Sequence, residues 1–160
     1  MIDDVQIKKL KVIPDERGRL MEILRNDDSC FTNFGQVYMT TTLPGVVKGF
    51  HYHKTQTDQI CCVYGMIKLV LFDVRKDSET KDNLLELFIG RDNPTLVTVP
   101  NMVLHGWKCV SLEEALIINI PSCPYNYTEP DELRISPHDA DKQIEKLGYP
   151  IPYDWSQIDY

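Results

Sequence analysis

The stretch Gly45-Val46-Val47-Lys48-Gly49-Phe50-His51-Tyr52-His53 contains two of the four histidines of this chain. On a β-strand, side chains alternate between the two faces, so His51 and His53 are expected to point to the same face. Asp58 follows His53 by five residues. Further along, the segment 100–106 brings His105 to the start of another predicted strand.

Three histidines and one carboxylate inside a β-barrel suit two kinds of chemistry. Imidazole and carboxylate groups together bind divalent metal ions. Imidazole groups also transfer protons and hydrogen-bond to organic ligands near neutral pH. The residues alone permit both functions, so both interpretations stay open at this point.

Short apolar segments recur on both sides of this stretch, and turn residues separate them. Their β-branched and aromatic content predicts an all-β sandwich or barrel rather than βαβ units. The predicted segments are 5–12, 20–24, 36–42, 60–64, 67–74, 84–89, 96–99 and 115–120.

One helix is predicted near the C-terminus, where the capping signature 136–139 is followed by the segment 140–147. Ser136 is expected to cap it, with a proline at the first helical position, Asp139 three residues after the cap, and Gly148 at the end. The tail 149–160 contains prolines and aromatic residues without a helical period. We therefore expect this tail to wrap over the surface of the barrel.

The composition limits the class of protein. A length of 160 residues with 42% hydrophobic residues predicts a single domain over 1–160. The net charge of −7 (17 − 24) argues against a protein that coats nucleic acid or an anionic membrane. The sequence has neither a membrane-spanning apolar run nor the layout of a secretory signal, so we expect a cytoplasmic protein. Its five cysteines form no CxxC pair, and neither disulfides nor a thiolate zinc site is expected.

The two histidine segments are similar to the two motifs of the cupin proteins. The first motif, which begins G-x-x-x-x-x-H-x-H, is matched by Gly45, His51, His53, Asp58 and Gly65, with aspartate where glutamate is usual. The second motif, P-x-G-x-x-H, is matched by Pro100 and His105, with Met102 where glycine is usual. The resemblance implies a cupin jelly-roll β-barrel, here with a short C-terminal helix and a wrapping tail.

Among the cupins, the sequence resembles the RmlC-like dTDP-4-dehydrorhamnose 3,5-epimerase family. Segments 15–22, 45–52 and 73–80 are similar to the family patterns D-x-R-G-x-F-x-E, G-V-x-R-G-L-H-Y and D-x-R-x-x-S-P-T. Gln36 matches the glutamine of F-x-Q-x-N, although Tyr38 replaces the asparagine of that pattern.

This resemblance implies proton transfer next to a ketone, without a metal or another cofactor. Family members act on a nucleotide-diphosphate sugar that carries a 4-keto-6-deoxy group. A base removes a proton beside the ketone, and reprotonation from the opposite face inverts the carbon. His51 stands at the position of the base, Asp139 at that of the aspartate that orients it, and His105 at that of the second-motif histidine, which supplies a hydrogen-bond donor.

The resemblance also implies the substrate-binding positions. Lys48 stands where the family has an arginine, His53 where it has a glutamine, and Asp58 where it has a lysine. The expected substrate-binding residues are Arg17, Glu22, Gln36, Lys48, His53, Asp58, Tyr125 and Tyr127. The general-acid tyrosine of the family aligns with Ile118, which cannot donate a proton. We therefore expect a single epimerisation with the acid supplied by water, Tyr125 or Tyr127, or a different sugar-nucleotide reaction.

Several alternatives stay open. Asp139 fits the helix-capping signature equally well, and Arg17 with Glu22 fits a cross-strand ion pair. A metal-dependent cupin enzyme is a second hypothesis, with the ligand set His51, His53, Asp58 and His105. A non-catalytic cupin that binds sugar nucleotides is a third hypothesis.

A homodimer is also expected. Family members exchange an N-terminal strand, and the segment 5–12 is an edge element that such pairing would protect.

Overall fold

The computed structural model describes residues 1–156, which form twelve strands and one helix. The helix is neither long enough nor apolar enough to cross a membrane. The elements are β1 (Gln6–Lys9), β2 (Val12–Asp15), β3 (Gly18–Met21), β4 (Tyr38–Thr42), β5 (Val47–Tyr52), β6 (Asp58–Tyr64), β7 (Met66–Asp73), β8 (Leu84–Gly90), β9 (Thr95–Val99), β10 (Val103–Cys109), β11 (Ala115–Asn119), β12 (Leu133–Arg134) and α1 (Ala140–Leu147).

Ten of these strands form two five-stranded antiparallel sheets. The first sheet has the order β1-β9-β6-β11-β4 and the second has the order β12-β5-β10-β7-β8, whereas β2 and β3 form a separate hairpin. The sheets share one apolar core, with Ile60 and Ile117 from the first sheet and Leu69 and Val103 from the second. The prediction of an all-β jelly roll is confirmed.

Strand alternation determines which side chains enter the space between the sheets. In β10, Val103 and Trp107 belong to the central core, whereas Leu104 belongs to a cluster on the outer face of the second sheet. In β6, Cys62 belongs to the central core and Cys61 to a cluster on the outer face of the first sheet. Polar residues in the inward-facing rows therefore point into the interior.

The C-terminal tail covers the outer face of the second sheet. Ile151 and Trp155 are buried against Phe50 and Phe72. The predicted wrapping of the tail is thus confirmed up to residue 156, and residues 157–160 lie outside the described residues. Because Phe50 faces this outer cluster, the next residue of β5, His51, faces inward.

The helix ends at the predicted residue, but it begins three residues later than a cap at Ser136 would give. Its N-cap is Asp139, whose carboxylate accepts a hydrogen bond from the backbone N–H of Lys142 at 3.1 Å. The Oγ of Ser136 instead accepts the N–H of Asp139 at 3.2 Å, so Ser136 stabilises the turn that precedes the helix. The helix ends at Gly148, which adopts the left-handed conformation that glycine allows.

Two predicted strands differ from the structure. The segment 5–12 divides between β1 and β2. Between these strands Leu10 is buried, and its N–H donates to the carbonyl of Pro94 at 3.0 Å. The segment 20–24 is strand only as far as Met21, where β3 ends. Beyond that residue, Ile23 and Leu24 pack on the outer face of the first sheet.

Strands β5 and β10 approach each other closely where two glycines meet. A Cβ atom on Gly49 would lie 2.6 Å from the Cα of Gly106, a distance that real Cβ contacts do not reach. The register of the two strands shifts between His105 and Trp107, and His105 is directly opposite His51. The glycines therefore bring two histidines of the sequence motifs into one site.

Candidate active site

A cavity of about 780 Å³ lies between the sheets where the polar inward-facing residues gather. Its volume is in the range typical of small-molecule sites. The first sheet contributes Tyr38, Thr40, Asp58 and Asn119. The second sheet contributes Lys48, His51, His105, Trp107 and Arg134. Loop residues, including Gln36, His53, Tyr125, Tyr127 and Glu132, complete the lining.

His51 lies on the wall that the second sheet forms. Its ring centroid is 6.1 Å from that of His105 and 6.4 Å from that of Trp107. Burial, and after it the charge of His105, lowers the pKa of His51 to about 4. The imidazole is therefore neutral at neutral pH and can accept a proton from a ligand.

Asp58 lies between two histidines in the buried part of the cavity. Its Oδ2 is 3.3 Å from the Nε2 of His53 and 3.2 Å from the Nε2 of His105. Its Oδ1 accepts a hydrogen bond from the side-chain amide of Gln56 at 2.7 Å. Both oxygens of this buried carboxylate thus have partners within the protein.

The other nitrogen of each imidazole faces a backbone carbonyl. The Nδ1 of His53 is hydrogen-bonded to the carbonyl of Asp131, and the Nδ1 of His105 lies 3.2 Å from the carbonyl of Val103. A carbonyl oxygen can only accept a hydrogen bond, so each Nδ1 carries the hydrogen. In a neutral ring, the lone pair of Nε2 would then point at the carboxylate of Asp58.

A positive charge must therefore accompany this cluster, either as a proton on a ring or as a bound cation. Burial raises the pKa of Asp58, but hydrogen bonds from His105 and His53 lower it to well below its usual value. Burial lowers the pKa of His53, and the hydrogen bond to Asp58 reverses that effect and raises it overall. The three ligand atoms of His53, Asp58 and His105 lie within 4.8 Å of one another, a set that also suits a divalent metal.

Lys48 and Gln36 line the cavity as the sequence predicted. The ammonium group of Lys48 donates to the Oγ1 of Thr40 at 2.8 Å and to the carbonyl of Thr41 at 2.6 Å. The side-chain oxygen of Gln36 accepts the backbone N–H of Tyr125 at 3.2 Å. The first two bonds hold the ammonium group of Lys48 against the first sheet. The third bond attaches Tyr125, at the entrance of the cavity, to Gln36.

The predicted tyrosines, Tyr125 and Tyr127, lie at the entrance of the cavity and are called its rim. The rings of Tyr125 and Tyr127 meet edge to face with centroids 4.9 Å apart. Tyr127 is 89% exposed and Tyr125 is 38% exposed. Such an open aromatic pair suits contact with a flat ligand ring at the entrance.

Arg17 and Glu22 are not brought to the cavity by this chain. Arg17 lies between β2 and β3 and pairs with Asp15 at 2.6 Å, whereas Glu22 pairs with Arg25 at 3.2 Å. The alternative of a cross-strand ion pair between Arg17 and Glu22 is therefore wrong, because each side chain has a partner close to it in sequence.

Asp139 also lies outside the cavity, so the prediction that it orients His51 is wrong for this chain. Its carboxylate is used at the N-terminus of α1. The carboxylate that faces His51 belongs to Glu132, whose Oε1 is 3.9 Å from the Nε2 of His51 and accepts from Arg134 at 2.7 Å. Glu132 could not be predicted from the sequence, because the short β12 that follows it has no recognisable strand pattern.

Ile118, at the aligned position of the family's acid, does not line the cavity. Ala115 and Ile117 in β11 belong to the central core, and Asn119 lines the cavity. Alternation therefore turns Ile118 toward the outer face. The side-chain amide of Asn119 donates to the hydroxyl of Tyr38 at 2.9 Å. Tyr38 also lines the cavity, although it was not among the expected site residues.

The chain is similar to proteins of sugar metabolism. A family model described as dTDP-4-dehydrorhamnose 3,5-epimerase matches residues 1–159. The chain is 39% identical over 135 residues to the spore coat polysaccharide biosynthesis protein SpsL of Bacillus subtilis. This alignment covers 84% of this chain and 89% of SpsL. It is 38% identical over 140 residues to a probable low-salt glycan biosynthesis epimerase of Haloferax volcanii. This second alignment covers 86% of this chain and 89% of that protein.

The same similarity is found among solved structures. A dTDP sugar isomerase from Desulfovibrio desulfuricans G20 superposes with a TM-score of 0.86 and 30% sequence identity. The superposition covers 99% of this chain and 94% of that one. The fold described above therefore extends over essentially the whole length of this neighbour.

The site electrostatics predict that His51 and His53 titrate in opposite directions from the ordinary value of about 6.5. In an NMR titration of the ring nitrogens, His51 should stay neutral down to about pH 4, and His53 should keep its proton above pH 6.5. As pH falls from about 6.5, the unfolded chain binds a proton at His51 that the native state does not, so His51 lowers the native stability. His53 stabilises the native state below about pH 6.5, and this contribution is lost as pH rises through its raised pKa.

The variants His51→Gln and His53→Gln assign the two signals in this titration. A common midpoint near pH 6.5 for both residues would contradict the lowered pKa of His51 and the raised pKa of His53.

Proposed function

The chain belongs to the dTDP-4-dehydrorhamnose 3,5-epimerase family and is a sugar-nucleotide epimerase, and we propose that it inverts the carbon next to the ketone of a nucleotide-linked 4-keto-6-deoxy sugar. The observation that carries this proposal is the position of the His51 imidazole on the wall of a sugar-sized cavity, where burial lowers its pKa. A base with a depressed pKa is free of its proton when the substrate arrives.

In the proposed reaction, His51 takes the proton from the carbon beside the ketone. The electron pair of the broken C–H bond moves to the ketone oxygen and forms an enolate. Donors fixed in advance stabilise such a charge strongly, because they need no reorganisation during the reaction. Lys48 and Arg134 are the cations of this wall. The two hydrogen bonds that Lys48 makes within the protein leave its third N–H for the oxygen.

His105 has a different proposed role from the donor that the sequence suggested. Its Nε2 faces Asp58 and its Nδ1 faces a backbone carbonyl, so both ring nitrogens are already engaged. Its charge is one of the causes of the low pKa of His51. We propose that His105 keeps His51 unprotonated rather than binding the enolate oxygen.

A substrate with a diphosphate brings negative charge to a protein with a net charge of −7. Local cations must therefore attract it, and Lys48 and Arg134 are suited to that task. We propose that Tyr125 and Tyr127 contact the nucleobase or the sugar at the entrance. We also propose a cytoplasmic enzyme that supplies a deoxy or otherwise modified sugar for a polysaccharide.

We propose a homodimer in which the β2–β3 hairpin reaches the cavity of the partner. The hairpin lies outside both large sheets, and the side chain of Arg17 is 86% exposed in the single chain. Arg17 and Glu22 would then contact substrate in the partner subunit rather than in their own. Light scattering at micromolar concentration should give the mass of two chains, and a monomer at that concentration would rule out this arrangement.

The proposed reaction predicts solvent exchange that depends on His51. In deuterated water, the enzyme should introduce deuterium beside the ketone of a nucleotide-linked 4-keto-6-deoxyhexose, as measured by NMR or mass spectrometry. His51→Ala should lower the exchange rate by about 10²-fold or more, the contribution typical of a general base.

His138→Ala is the matched control for this experiment, because His138 lies outside the cavity and should leave the rate unchanged. Exchange by His51→Ala at the wild-type rate would contradict the assignment of the base. Tight binding without exchange in the wild type would instead favour a non-catalytic sugar-nucleotide-binding protein.

A metal-dependent reaction is the second candidate, and the convergence of His53, Asp58 and His105 is the observation that favours it. Since protonated rings satisfy the same geometry, we expect less than stoichiometric Fe, Mn, Ni or Zn in protein purified without chelators. Elemental analysis measures this directly. One bound ion per chain that is lost in Asp58→Asn would overturn the metal-free mechanism in favour of the second candidate.

A further inference from the structure

We propose that Tyr38 is the general acid of this epimerase and protonates the substrate carbon on the face opposite His51. This inference deepens the proposed function and rests on it. It assigns a catalytic role to a residue that stands in the sequence only as a replacement for an asparagine.

The two residues lie on opposite walls of the cavity. Tyr38 belongs to β4 of the first sheet, and His51 belongs to β5 of the second sheet. The sheets face each other across the interior, and both residues line the cavity. Inversion of a carbon requires that one face loses a proton and the other face gains one. A ring held between the sheets meets the base on one side and the phenol on the other.

The hydroxyl of Tyr38 is held with its own proton available. The backbone N–H of Gln59 donates to the Oδ1 of Asn119 at 3.1 Å, which fixes the orientation of that amide. The Nδ2 of Asn119 therefore faces Tyr38 and donates to its hydroxyl at 2.9 Å. Because the phenol oxygen accepts this bond, its hydrogen remains for another acceptor, and within residues 1–156 the hydroxyl makes no second hydrogen bond.

The other residues on this wall are poor acids. The hydroxyl of Thr40 accepts from Lys48, Asp58 has a strongly lowered pKa and is ionised, and the amide of Asn119 is not acidic. Arg134 stands on the same wall as His51 and would return a proton to the same face. The ammonium group of Lys48 is bound to Thr40 and Thr41, and its remaining N–H is assigned above to the ketone oxygen rather than to the carbon. Tyr38 is thus the one suitable acid among the described residues of this wall.

The rim tyrosines are weaker candidates. Tyr127 is 89% exposed, and both rim rings pack on each other at the entrance rather than on the wall opposite His51. The position that would carry the acid by sequence alignment, Ile118, faces away from the cavity. The register places Tyr38 directly opposite Asn119, so the phenol reaches the cavity from the neighbouring strand.

The proton balance closes without a further reactant. His51 gains the proton of the C–H bond, and the electron pair passes to the ketone oxygen. When the enolate reverts to the ketone, the carbon takes the proton of Tyr38, which leaves a phenolate. Exchange with solvent then returns a proton to Tyr38 and removes one from His51. Partial burial raises the pKa of Tyr38, so the phenol is protonated at neutral pH before each turnover.

The variant Tyr38→Phe separates the two half-reactions in deuterated water. It removes one hydroxyl from a residue that is 42% exposed, so the fold should be retained, as circular dichroism can verify. Removal of the proton by His51 should continue, and deuterium should return on the same face. We expect formation of the epimer to fall by about 10²-fold or more, while exchange with retained configuration remains.

Tyr64→Phe is the matched control, since Tyr64 is on the same sheet, is 43% exposed and does not line the cavity. It should epimerise at the wild-type rate. The double variant Tyr38→Phe with Ile118→Tyr should not recover inversion, because position 118 faces outward.

Three outcomes would overturn the role of Tyr38 while leaving the proposed function intact. The first is formation of the epimer by Tyr38→Phe at the wild-type rate. The second is recovery of inversion in the double variant, and the third is an equal loss of exchange and inversion in a folded Tyr38→Phe protein. Failure of the wild type to exchange any such substrate would instead remove the proposed function itself.

Discussion

The electrostatics of the cavity depend on one buried carboxylate, that of Asp58. Its exposure is 2%, and a charge so deeply buried is tolerated only with close partners of opposite charge or with strong hydrogen-bond donors. The imidazoles of His53, which follows β5, and of His105, in β10, meet this requirement. After burial, the charge of His105 is the largest cause that lowers the pKa of His51. His51 is thus neutral first because it is buried and then because the charge of His105, which is paired with Asp58, lies close to it.

Asp131, which lies at the edge of the cavity lining, holds this arrangement in place. Its carboxylate accepts the backbone N–H groups of Lys54, Thr55 and Gln56 at 2.8, 2.9 and 3.1 Å. Burial raises the pKa of Asp131, but these hydrogen bonds outweigh burial and lower it to about 2. Its backbone carbonyl binds the Nδ1 of His53. One residue therefore holds both the loop that presents Gln56 to Asp58 and the tautomer of His53, in the way that outer partners orient the ligands of a functional site.

The sequence predicts those parts of the site that depend on short-range patterns. Alternation within one strand was sufficient to direct His51 inward, and the spacing of the second motif located His105. The end of the helix followed from the glycine signal, whereas its start did not, because Ser136 and Asp139 compete for the cap position. What could not be predicted depends on pairing between distant strands. Glu132 reaches His51 only because β12 adds to the edge of β5, and Arg134 pairs with His51 there.

The direction of each side chain explains why Tyr38, and not Ile118, lines the cavity. An alignment matches positions along one strand, whereas a cavity selects by the direction of each side chain. In β11 the inward positions are 115, 117 and 119, so a residue at 118 cannot reach the interior whatever its chemistry. The adjacent strand β4 directs Tyr38 inward beside Asn119, and its neighbour Met39 is 58% exposed on the other face. In this chain the phenol therefore reaches the cavity from β4 and not from β11, and the amide of Asn119 holds it there.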